Sequence, residues 1–513
     1  MILGVFSMNL RRRLMSSGGF LLALFLVIAA VFYSTITTAQ SSFVGSLPPG
    51  YAISSGQLIM GKSCSCATGA ITGAPPLPPP CGTNRCFGNS YTRYGVISTN
   101  SEAVKSTTCD EVEQATGRNL PPCFQLDGDD AVVIIGSMSP VQNLAYYSYT
   151  LYQNLTYNSQ SATNYTFIES SVGTTPNISN FKLGLNGKYA LIMTASTKTL
   201  NIIKRALRTS GVPEAIMNTY LIPTNVTNVG KVDYPDQLSL QLRLTYQSAQ
   251  ESQQIINFVQ QTAPETKVMF IKAPGTTGDI TFDDIPKWED TLRANDIEYR
   301  TGLDQRLALL EKSVTNTYLR RGFTLKARLT QSLRHVDTNE CRESLTDCAF
   351  DSPDALYSSF PCDFSPTELS SGNCNIQLGL NNEDVLMLIG VDHTLVGDKT
   401  LAAYFSQESK AIPGSKDGTF SFMGLHTQNS AKQYWPRTKG DNLYAVKIAR
   451  YCGPAPFCSA VPYQRYAPDQ PRFYPDQDTG FYIVGRIYLD KATGSGPNPA
   501  NLIPAILLWF TKS

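Results

Sequence analysis

The chain has 513 residues, with 42 lysines and arginines against 41 aspartates and glutamates. A formal net charge of +1 and no long basic stripe exclude the electrostatic footprint that nucleic acid requires. Charged residues make up only 16%, whereas 26 tyrosines and 23 phenylalanines supply core-forming bulk that disordered chains lack.

Arg11, Arg12 and Arg13 precede an almost uncharged run, Gly18 to Ile36, whose apolar centre is Leu21 to Tyr33. A basic flank, ~7–15 apolar residues and a small-residue exit make a secretory signal, with a cleavage site after Ala39. The same run approaches the ~20 residues of a membrane-spanning helix, and the arginines then stay on the cytoplasmic side of a retained signal anchor. In both readings residues 1–39 are an address, and the bulk of the chain is secreted or held outside the cytosol. Any membrane contact is then through this segment.

Twelve cysteines agree with an oxidising compartment. They fall in short-spaced groups: Cys64, Cys66, Cys81 and Cys86; Cys109 and Cys123; Cys341 and Cys348; Cys362 and Cys374; Cys452 and Cys458. Local pairing within the last four groups is the simplest connectivity, and Cys64 and Cys66 take different partners. A zinc site in the first group, or a reactive CxC at Cys64 and Cys66, is disfavoured against a stapled loop. Four glycosylation sequons begin at Asn154, Asn164, Asn177 and Asn225, all in one stretch.

The chain beyond residue 39 exceeds the roughly 250–300 residues at which one core stops growing, so two domains are expected. Residues 40–125 read as a loop-like Cys/Pro-rich extension, with Pro75, Pro76, Pro78, Pro79 and Pro80 between cysteines. Residues 126–300 read as an α+β domain. Its first strand is Ala131 to Gly136, a β-branched run buried on both faces, with Tyr146 to Tyr152 returning beside it. Tyr189 to Thr194, a helix capped by Ser196 and stopped at Gly211, Tyr220 to Ile222, the half-buried alternation Leu238 to Tyr246, a helix from Glu251 to Gln261 and Lys267 to Ile271 then follow. That β-α-β-β-α-β order is the ferredoxin-like pattern.

Residues 301–322 read as a connecting helix that docks one half on the other. Thr301 to Asp304 resembles a capping box, and Leu303, Leu307, Leu310, Val314 and Tyr318 trace one face before Gly322. Residues 323–513 read as a β-rich domain, closed by an edge strand from Ala505 to Phe510. Glu383 to Gly390 repeats the pattern of Asp129 to Gly136, and each is followed by an aromatic-Ser pair, Tyr147-Ser148 and Phe405-Ser406. This points to two related halves. The fold class is thus α+β, two sheet-rich domains stapled by disulfides.

Chemistry has few carriers, because histidine occurs only as His335, His393 and His426. His393 follows a buried strand beside Asp392. Together with His426 and Asp384, Glu383 or Asp392 it forms the best candidate for a general base with an orienting carboxylate, or for a metal site. Ser137 and Ser139 are weaker nucleophile candidates. Asp127-Gly128-Asp129-Asp130 offers oxygens for calcium, but Met138 stands where an EF-hand loop needs glutamate. No nucleophile elbow, zinc-protease helix or phosphate loop occurs, and no cofactor is indicated. The sequence therefore favours an exported binding or structural glycoprotein with an extracellular ligand. The runner-up is an extracytoplasmic hydrolase or metal-dependent enzyme using a His393-centred site.

Overall fold

The computed structural model describes residues 42–60, 92–99, 107–116, 121–144, 146–173, 175–224, 226–230, 233–246, 249–274, 302–334, 338–345, 348, 352–360, 383–391, 393, 405–411, 430–435, 442–449, 451–460, 481–488 and 496–512. It is a mixed α/β architecture, mostly sheet. The N-terminal apolar run lies outside these residues. Among them, no helix is long and apolar enough to cross a membrane.

The first half comprises β1 (Ala52–Met60), β2 (Thr92–Thr99), α1 (Thr107–Thr116), β3 (Ala131–Ser137), β4 (Tyr146–Tyr157), β5 (Tyr165–Ser171), β6 (Lys188–Thr194), α2 (Thr197–Thr209), β7 (Met217–Leu221), β8 (Gln237–Thr245), α3 (Ala249–Asn257) and β9 (Lys267–Lys272). Its strands form one nine-stranded sheet in the order β5-β4-β8-β2-β1-β9-β3-β6-β7. The helices and strands of the expected ferredoxin-like unit exist, but their order is not ferredoxin-like. β6 and β7 are direct parallel neighbours across α2, while β1 and β2 separate β8 from β9. The stretch expected to be loop-like therefore supplies central strands, and β4 pairs with β8 and β5 rather than with β3.

β3 earns its place by being apolar on both sides. Ala131 and Val133 face a core with Leu200, Ile203 and Leu207 of α2, and Val132 and Ile134 face the main core on the other side. Each such valine, leucine or isoleucine contributes roughly 1.5–3 kcal/mol by leaving water. α2 starts as the sequence indicates: Thr199 N–H donates to Ser196 Oγ at 3.3 Å, and the chain turns at Gly211 with φ 84°.

The second half comprises α4 (Leu303–Leu319), β10 (Phe323–Thr330), β11 (Ser332–Arg334), α5 (Thr338–Glu343), β12 (Ala355–Phe360), β13 (Val385–Val391), β14 (Phe405–Ala411), β15 (Leu443–Ala449), β16 (Cys458–Ala460), β17 (Phe481–Tyr488) and β18 (Ile506–Lys512). Two sheets result, β10-β18-β13-β15-β16 and β11-β12-β17-β14. The apolar face of α4 packs on Val385, Met387, Ile389 and Phe510 within this half. Gly302, with φ 68°, precedes it, and Thr301 of the expected capping box lies outside the described residues. β18, expected at an edge, lies between β10 and β13.

β3 and β13 occupy matching places, each between two antiparallel partners. In both, a glycine admits a tyrosine from the neighbouring strand. Gly136 is opposite Tyr189 and Gly390 is opposite Tyr444. A Cβ on Gly390 would sit 2.5 Å from the Tyr444 hydroxyl and 2.9 Å from Ala505 Cβ. Gly390→Ala is expected to destabilise the protein by about 1–3 kcal/mol, as overpacking does, and Tyr444→Phe in the same chain to recover part of that loss. Denaturant unfolding of the single and double variants checks this.

The halves share a core: Cys341, Cys348, Ala355 and Tyr357 of the second pack with Tyr146 and its neighbours of the first. Cys348 N–H also donates to Ile168 O at 2.7 Å. Three cystines form as local pairing predicts, Cys109–Cys123, Cys341–Cys348 and Cys452–Cys458. Cys64, Cys66, Cys81, Cys86, Cys362 and Cys374 lie outside the described residues.

Candidate functional site at the junction of the two halves

β8 alternates Leu238, Leu240, Leu242 and Leu244 with Gln237, Ser239, Gln241, Arg243 and Thr245. The pattern predicts a strand wet on one face. In the structure all nine residues are buried. Antiparallel pairing puts Tyr146 opposite Thr245, Ser148 opposite Arg243 and Tyr152 opposite Ser239, so β4 extends the polar face. On the other side β2 sets Tyr94 opposite Arg243.

Arg243 is the centre of this face and is 3% exposed. Its guanidinium donates to the Tyr152 hydroxyl and lies 5.3 Å from the centroid of that ring and 5.7 Å from that of Tyr94. Such ring contacts help to hold a charge away from water. Asp354, from the turn before β12 in the second half, approaches this cluster. Tyr146 donates its hydroxyl proton to Asp354 Oδ2 at 2.6 Å, and Asn177 and Arg243 also act on the carboxyl. Burial outweighs these favourable partners and pushes the Asp354 carboxyl from its usual 3.8 up to about 7.

A second buried carboxylate also senses the other half. Asp236 Oδ2 accepts from Gln153 Nε2 at 2.7 Å and Asn228 N at 2.6 Å, while Oδ1 accepts from Thr156 Oγ1 at 2.8 Å. Burial raises its pKa, and the charge of Arg342 on α5 opposes that rise. Burial in turn lowers the pKa of Arg342.

The residues singled out from sequence fall elsewhere. His393 is fully buried just beyond β13. Asp392, His426 and His335 lie outside the described residues, and with them the rest of the His393-centred site. Glu383 is exposed, and Asp384 accepts from Trp509 Nε1 at 3.2 Å. Ser137 donates to Asn186 O at 2.6 Å and accepts from Ser139 N, a turn role. Asp130 accepts from Asp127 N and Ala273 N, each at 3.0 Å, tying the turn before β3 to the end of β9. Among the described residues, no group of three or more His, Cys, Asp or Glu side chains is placed to hold a metal.

The sequons separate sharply. Asn154 is 0% exposed, its amide donating to Cys123 Sγ and its carbonyl accepting from Ser239. Asn177 is 0% exposed as well, its Oδ1 accepting from Ser179. Asn164, by contrast, is exposed at the β4–β5 hairpin tip with φ 58°. Asn225 lies outside the described residues.

Arg243, Asp354, Asp236 and Arg342 escaped sequence reasoning. The available signal was a lone arginine within the leucine alternation of β8. No protein family matches the chain, and no curated protein does. A crystal structure of an uncharacterized protein from Burkholderia cenocepacia aligns over 93% of this chain and 86% of its own, at 11% identity and a TM-score of 0.34.

Proposed function

We propose that this chain is exported and works outside the cytosol as a disulfide-bonded glycoprotein with a binding or structural role. The observation that carries this reading is the set of local cystines, Cys109–Cys123, Cys341–Cys348 and Cys452–Cys458, distributed over both halves. Such bonds persist where thiols are not kept reduced. The basic flank and apolar run at the N-terminus supply the route. The buried polar side chains at the junction are spent on joining the halves, as a rigid scaffold requires.

Glycan attachment follows exposure. Asn164 is expected to carry a glycan, while Asn154 and Asn177, which are enclosed and hydrogen-bonded, are expected to be empty. Peptide mapping after enzymatic deglycosylation reads each position. Modified Asn154 with bare Asn164 would contradict the assignment.

The binding reading is tested against the enzyme reading directly. Protein beginning at Gln40 and its His393→Ala variant, matched for folding, are incubated with an extracellular extract and substrate loss is followed by mass spectrometry. Both are expected to leave the extract unchanged. Consumption of a metabolite or polymer by the wild type alone would make catalysis at His393 the better account.

A further inference from the structure

The two halves correspond strand for strand in chain order. β1-β9-β3-β6-β7 in the first matches β10-β18-β13-β15-β16 in the second, and in both the last pairing is parallel while the others are antiparallel. β4-β8-β2 likewise matches β14-β17-β12, all antiparallel. β1 pairs through Ala52 to Gly56 with β9 and through Gly56 to Met60 with β2. In the second half β10 pairs with β18 and β11 with β12. β10 and β11 are therefore one strand broken at Gln331, whose N–H and side-chain carbonyl both engage Ala505.

Superposing the registers leaves few identical residues, and those few are grouped. One group is Gly136 with Tyr189 and Ala190, matched by Gly390 with Tyr444 and Ala445. The other is a row across three strands. Tyr94, Arg243 and Ser148 face one another in β2, β8 and β4, and Tyr357, Arg486 and Ser406 hold the same register in β12, β17 and β14. Chance strand similarity would scatter its matches. This row instead coincides with the junction. Arg243 lies within the electrostatic reach of Asp354, and Tyr357 is buried in the core shared by both halves.

We infer that the chain is an internal duplication whose two copies meet through the same face, the one that carries Arg243 in the first copy and Tyr357 in the second. The partner of each face is the other copy of the unit. Arg243 and Tyr357 are thus positioning residues for the interface, and the proposal stands apart from whether the protein binds or catalyses.

Amide hydrogen exchange on the full chain tests it. Arg243→Lys keeps the charge and removes the planar group. It is expected to speed exchange roughly tenfold or more in β12 and β17 of the opposite half, and Tyr357→Leu to do the same in β4 and β8. Arg208→Lys, in an exposed pair with Glu214, should alter neither. Should Arg243→Lys fail to fold, the milder Ser148→Ala is read in the same way. Faster exchange confined to β8 and its own sheet, with β12 and β17 unchanged, would overturn the assignment.

Discussion

Asp354→Asn is expected to leave stability nearly unchanged at pH 4 and to raise it by about 4 kcal/mol at pH 8. The folded carboxyl holds its proton up to about 7, whereas the unfolded one releases it near 3.8. The folded state binds more protons between those values, so wild-type stability falls as pH rises through that window and levels off above it. One pKa unit corresponds to ~1.4 kcal/mol, which sets the size of the effect. Asparagine has the shape of the neutral acid and cannot ionise, so it removes the loss while keeping an oxygen for the Tyr146 hydroxyl. Burial also raises the pKa of Asp130 and Asp236, so the wild-type profile carries further slope of the same sign. The difference between the two proteins isolates Asp354. Urea unfolding at pH 4 and pH 8 measures it, and parallel profiles would refute the placement of this carboxyl.

Arg243→Met is expected to cost about 3–5 kcal/mol at neutral pH. The substitution preserves an unbranched side chain but leaves the Tyr152 hydroxyl and the Asp354 carboxyl without the guanidinium. It also removes the charge held against the Tyr94 and Tyr152 rings. The loss should shrink toward pH 4, where Asp354 is neutral. It should also be smaller in an Asp354→Asn background, because the two residues act on one another. A pH-independent loss, fully additive with Asp354→Asn, would mean that Arg243 serves packing alone.

Much of the first half was legible because local patterns settle local structure. The run from Ala131 to Gly136 announced a strand covered on both faces, and Ser196 and Gly211 marked the ends of α2. Strand order was not legible. The elements between Tyr189 and Ile271 suit a ferredoxin-like unit, but pairing is decided by distant partners, and β1 and β2 took the central places. Those strands were missed because Pro-rich and Cys-rich text lies between them. β8 was misread for a related reason: polar residues alternating with leucine look solvent-facing until a second sheet covers them. Asp354 gave no signal, since Tyr146 lies 208 residues away in sequence. The matching glycines of β3 and β13 were visible, whereas the Tyr–Arg–Ser row emerges only when three strands are set in register.

The compartment is the premise on which the functional reading stands, and the cysteines report it. Native protein taken from the cells that make it is alkylated with one reagent before reduction and a second after it, then mapped by mass spectrometry. Cys109, Cys123, Cys341, Cys348, Cys452 and Cys458 are predicted to carry only the second label. First-label modification at these six positions would show a reduced, cytosolic protein and contradict the account.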